Sequence, residues 1–106
     1  MTKEMLERYC DTCEEIHALD KEADSAKGFG ESQRVVFLHA ERYGRLVEEK
    51  RQVEAFVWSL PWGKRILVQA VMRYGPHWDV IRREIHSMKS ANALRMEYNR
   101  IFENNL

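Results

Sequence analysis

Cys10 and Cys13 stand three residues apart, with His17 one helical turn further on. A redox pair at this spacing needs a low-pKa thiolate at a helix N-terminus, close after a strand. A zinc site needs four ligands at defined spacing. The flanking pattern here is that of a helix interior, no strand precedes it, and nothing places two further ligands. Both cysteines are therefore expected to be buried as small hydrophobes. Glu14-Glu15 and Glu48-Glu49 are neighbours in sequence, so on a helix each pair points to two faces and reads as solvated surface, not an acid–base site. Histidines 17, 39, 77 and 86 have no serine or cysteine nucleophile motif beside them, and there is no glycine-rich phosphate loop. The expectation is no enzyme, no cofactor and no metal.

The C-terminal third offers a different chemistry. Ser90, Asn92, Arg95, Asn99 and Arg100, with Ala91 and Met96, fall on the outward side of a short amphipathic segment. An asparagine amide matches an adenine edge, and a guanidinium matches a guanine edge. Ser90 at a helix N-terminus suits a phosphate, and Lys89, Arg82 and Arg83 suit backbone contacts. Double-stranded DNA is the partner this set would recognise. The competing reading is a solvated polar face.

Five segments must position these residues. Apolar residues at 6, 9, 10, 13, 16 and 19 predict a helix over 3–23, with Thr2 as N-cap. The glycine-containing stretch 24–32 reads as a linker. A long charged helix follows over 33–58. Its seam Val36, His39, Tyr43, Leu46, Lys50, Val53, Val57, Leu60 alternates by three and four, interrupted by Lys50. That seam predicts an antiparallel hairpin with the first helix, and a coiled-coil homodimer is its alternative use. Pro61 opens a helix over 61–74 with Ile66, Leu67, Ala70, Val71 and Tyr74 inward, and Gly75-Pro76 stops it in a left-handed turn. Trp78, Ile81 and Ile85 share a face of the next segment, 77–85. Residues 86–89 turn, Ser90 caps, and the last helix runs to about 102 with Leu94, Tyr98 and Ile101 inward. Trp58, Trp62 and Trp78 are expected in or near the core. If exposed, Trp62 together with Phe29 would instead mark a protein-binding patch.

The fold class is thus all-α: a helical hairpin over 1–60, then a three-helix unit over 61–106. The chain has 106 residues with 17 Lys/Arg and 17 Asp/Glu, which opposes phosphate binding as a sum. The distribution favours it: residues 64–100 hold eight Lys/Arg against three Asp/Glu, while residues 1–31 are acidic. No signal peptide or membrane span is read, and reduced thiols fit a cytoplasmic or nuclear setting.

Leu60-Pro61, Arg65, Arg73-Tyr74, Trp78, Ile81, Ser90 and Leu94 resemble the C-terminal part of small phage-borne transcriptional regulators. In those proteins a helix-turn-helix similar to the fourth region of a sigma factor follows a charged helical hairpin. The resemblance implies that the last helix is the recognition helix and that Ser90, Asn92, Arg95 and Asn99 face the bases. This chain departs from the family in its turn: His86-Ser87-Met88-Lys89 is longer and lacks glycine. Ala70-Val71, Tyr74-Gly75, Trp78, Ile81, Ile85, Lys89-Ser90 and Tyr98 are also similar to a Myb or SANT repeat. That family expects acidic residues where Gly63-Lys64-Arg65 follows Trp58 and Trp62. Both resemblances imply one trihelical DNA-binding geometry. The alternative reading is a phage-type inhibitor of a host protein, anti-CRISPR or anti-sigma-like, that does not touch DNA.

Overall fold

The computed structural model describes residues 1–25 and 31–105, with side chains over 1–23 and 39–103. It is all-α, with no strand among the described residues. The elements are α1 (Lys3–Glu7), α2 (Tyr9–Ser25), α3 (Glu31–Ser59), α4 (Trp62–Tyr74), α5 (Trp78–Glu84) and α6 (Ala91–Asn105).

The first expected helix is two. Thr2 caps α1, its Oγ1 accepting from the Met5 N–H at 3.2 Å. At Arg8 the backbone leaves helical geometry, and there the Thr12 hydroxyl donates to the Arg8 carbonyl at 3.1 Å, which already accepts from the Thr12 N–H. Such back-bonding bends helices. The bend lets Leu6 enter the core, where it is fully buried. The expected linker is shorter than 24–32, since α2 reaches Ser25 and α3 begins at Glu31; residues 26–30 lie outside the described set.

Helices α2 and α3 pack as the expected hairpin, laced by polar pairs. Arg8 pairs with Glu49, Arg42 with Glu15, and Tyr43 donates to Asp20 at 2.8 Å. Glu49 and Glu15 are therefore not simply solvated: they bind cations across helices, and the Glu49 side chain is only 13% exposed. The seam of α3 faces inward within the chain. Val53, Val57 and Leu60 are buried, and Lys50 is accommodated by Glu54 at 3.0 Å. Val36 lies outside the described side chains.

One apolar core spans both ends of the chain. Leu6, the α3 residues Val53, Phe56 and Val57, and Leu60 just past the end of α3 join Leu67, Val68, Ala70, Val71, Ile81, Leu94, Tyr98 and Ile101. The core therefore does not divide at residue 60. Tyr98 sits at its aromatic centre, with Trp78 at 5.2 Å and Phe102 at 5.0 Å between ring centroids.

Two tryptophans depart from expectation. Trp78 packs against the core, but Trp58 is 66% and Trp62 71% exposed. The reason is the elbow between α3 and α4. Pro61 caps α4 from an extended backbone, and Arg65 reaches back to the Trp58 and Leu60 carbonyls at 3.1 and 3.0 Å. The bend that buries Leu60 turns both indoles outward. Phe29, their expected companion, lies outside the described residues. The cysteines depart too. Cys10 is exposed and Cys13 partly so, because α2 turns this edge toward α4 rather than beneath it. The Cys10 thiol donates to the Met72 carbonyl at 2.9 Å, and burial of the sulfur followed by the charge of nearby Cys13 holds its pKa up. That opposes the thiolate a redox pair requires.

Candidate nucleic-acid interface

Three local devices set the angle of α6. Gly75 ends α4 with φ +75 and ψ −177. This is not the expected left-handed helical stop but the extended positive-φ region that essentially only glycine occupies. The Gly75 carbonyl then accepts from the His77 N–H at 2.8 Å, folding the chain tightly around Pro76 into α5.

The second device is the turn without glycine. His86 takes φ +52. Its N–H donates to the Arg83 carbonyl, and the Ser87 N–H donates to the Arg82 carbonyl at 3.0 Å. These two bonds, with a left-handed residue just past the helix end, make a Schellman motif. A histidine thus occupies the place where a glycine would be expected, at some conformational cost. Third, Ser90 Oγ accepts from the Ala93 N–H at 3.1 Å and caps α6. Arg82 ties the two ends of the turn, its Nε donating to the Lys89 carbonyl at 3.0 Å.

These devices hold α6 with Leu94, Tyr98 and Ile101 buried and Asn92, Arg95, Met96 and Arg100 exposed. Asn92 and Arg95 are together: Arg95 donates to Asn92 Oδ1 at 2.8 Å. With Ala91 they line a shallow recess whose other wall is Pro76 to Val80 at the start of α5. In the free protein the pair satisfies itself, and both groups can exchange that bond for a base edge. Arg82 and Arg83 line a neighbouring recess with Asp79 and Ser87.

Two of the expected residues have other partners. Lys89 Nζ lies 2.6 Å from Glu97 Oε2, and Asn99 Oδ1 accepts from Lys3 Nζ at 2.6 Å. Asn99 is therefore engaged by Lys3 at the start of α1. On the other flank, Lys89 and Arg100 meet Lys64 of α4. Sequence reading left Lys64 out, although its place in a long run without acids was the available signal. From Ala55 to Trp78 the chain has no aspartate or glutamate.

Among the described residues no three His, Cys, Asp or Glu side chains group to hold a metal, and no helix is long and apolar enough to cross a membrane. No family model, curated protein or solved structure matches this chain.

Proposed function

We propose that this is a small DNA-binding regulator, of the kind carried by phages and mobile elements, which reads duplex DNA with α6. The observation that carries the reading is the exposed Asn92–Arg95 pair on the first turns of a capped helix. Cations lie nearby: Arg82 and Arg83 line one recess, and Lys64, Lys89 and Arg100 line another. Asn92 and Arg95 supply base recognition, and Ser90 and the flanking cations hold the phosphates.

Magnitudes bound the claim. Four or five phosphate contacts imply a loss of affinity of roughly 150- to 500-fold between 50 and 200 mM salt. Polarisation titrations with random duplex DNA at both salts measure this loss directly. Site selection should then give a sequence that Asn92→Ala/Arg95→Ala no longer distinguishes from random DNA. Absence of duplex binding at low salt would refute the reading.

A second reading is supported by the exposed acids Asp11 and Glu14 on α2 and the zero net charge. In it, the hairpin presents an acidic surface to a basic host protein. Capture of such a partner that survives nuclease treatment, without duplex binding, would favour it.

A further inference from the structure

The elbow between α3 and α4 is not used by the α6 reading. Trp58 and Trp62 are the two most exposed aromatic residues there, and Pro61 between them is exposed as well. Large apolar residues left in water call for an explanation when they cluster. Arg65 settles the orientation of one of them. Its guanidinium lies over the Trp58 ring, 4.7 Å from the centroid. Its two bonds to the Trp58 and Leu60 carbonyls pin it there. One face of the Trp58 indole is thus covered by a fixed cation, and at 66% exposure the other is open.

Charge indicates what could cover it. The elbow lies inside the 24-residue stretch 55–78, which contains Lys64, Arg65 and Arg73 and no acid. Lys64, in the first turn of α4, continues into the recess it shares with Lys89 and Arg100. Glu97 enters that recess but is paired with Lys89. Exposed aromatic faces beside a cationic track, with a guanidinium stacked behind one ring, are the means by which proteins hold unpaired bases and their phosphates.

We propose that the Trp58–Pro61–Trp62 elbow is a stacking platform for single-stranded nucleic acid. Unpaired bases lie on the two indoles, and the strand's phosphates run toward Lys64 and Arg100. This surface shares Lys64 and Arg100 with the duplex reading but not Asn92 or Arg95, and it does not require α6 to read a duplex.

The test uses the full chain with labelled dT16, rU16 and a blunt duplex, at low salt, followed by polarisation. Quenching of intrinsic tryptophan fluorescence is read on the same samples. Both oligonucleotides should bind and quench, and a preference between them identifies DNA or RNA as the source. Trp58→Ala/Trp62→Ala should weaken single-strand binding roughly ten- to a hundredfold. Trp58→Phe/Trp62→Phe, which keeps two stacking rings, should recover most of it. Asn92→Ala/Arg95→Ala should leave single-strand binding unchanged, which separates failure of this proposal from failure of the duplex reading. Equal binding by the parent and the alanine variant, with circular dichroism showing both folded, would overturn the proposal. So would quenching by polyglutamate with none by either oligonucleotide, which would point to an acidic protein partner.

Discussion

Tyr98 shows how unequal the side chains of this protein are. Exposed ion pairs such as Lys50–Glu54 and Arg51–Glu48 contribute little, because water and salt screen them. Tyr98 is fully buried, lies tilted against Trp78 and edge-to-face with Phe102, and donates to Glu7 at 3.2 Å. Burial, then the charge of Glu7, pushes its pKa well above the usual phenol value. A raised folded-state pKa means that the stabilisation is complete below the unfolded value of about 10 and is lost as pH rises beyond it. Tyr98→Phe should therefore cost about 1 kcal/mol at pH 7 and flatten the decline in stability between pH 9 and 11. Urea denaturation at neutral and alkaline pH measures both effects. Identical alkaline slopes for parent and variant would refute the linkage. Glu54 acts at the opposite end of the scale. The Tyr9 hydroxyl, then Lys50, lower its pKa, so its contribution is present above about pH 4.3 and fades as pH falls.

Among the elements, the two connections around α5 decide where α6 points. They use positive φ in two different ways. Gly75 lies where a side chain is scarcely tolerated, and an added Cβ would meet the His77 ring at 3.3 Å. Gly75→Ala should cost about 1–3 kcal/mol. His86 lies in the ordinary left-handed region at φ +52, where a non-glycine residue is strained by about 1–2 kcal/mol. The extra unfolded-state freedom of glycine offsets part of that relief. His86→Gly should therefore raise stability by about 0.5–1 kcal/mol. Thermal melts of the two variants test the assignments together, and a large loss from His86→Gly would mean the Schellman geometry is not what holds this turn.

The whole molecule is elongated, 57 × 26 × 19 Å, with a radius of gyration of 17.3 Å. A compact chain of this length would have about 13 Å. The difference is the α2–α3 arm, which extends from a core built by α1, the end of α3, and α4–α6. The apolar seam that could have joined two copies is turned toward the chain's own core at Val53, Val57 and Leu60. The protein should then be a monomer of 12.6 kDa by light scattering at micromolar concentration. A mass of twice that would show that the arm pairs between chains after all. On the duplex-binding proposal, a monomer would bring one α6 and a modest set of cations to a DNA site, which keeps the expected salt dependence moderate.

Local chemistry was enough to specify most of the elements. The three-and-four spacing marked α2 and α3, Pro61 and Gly75 bounded α4, and Ser90 capped α6, because caps, stops and amphipathic faces depend on near neighbours. Leu94, Tyr98 and Ile101 were legible as inward for the same reason, and Asn92 and Arg95 as outward. Tertiary packing decided the rest. Periodicity does not say which apolar residues a bend will expose, so the outward turn of Trp58 and Trp62 depended on Arg65 clamping the elbow. Nor does it say which helix end crosses which face. Asn99 reads as base-facing along α6, and only the docking of α1 brings Lys3 to it. Lys64 and Arg100, 36 positions apart in sequence, become one flank of α6 through the packing of α4 on α6. Nearby residues fixed the helices and their caps, whereas contacts between distant segments fixed which charged and aromatic side chains share a surface.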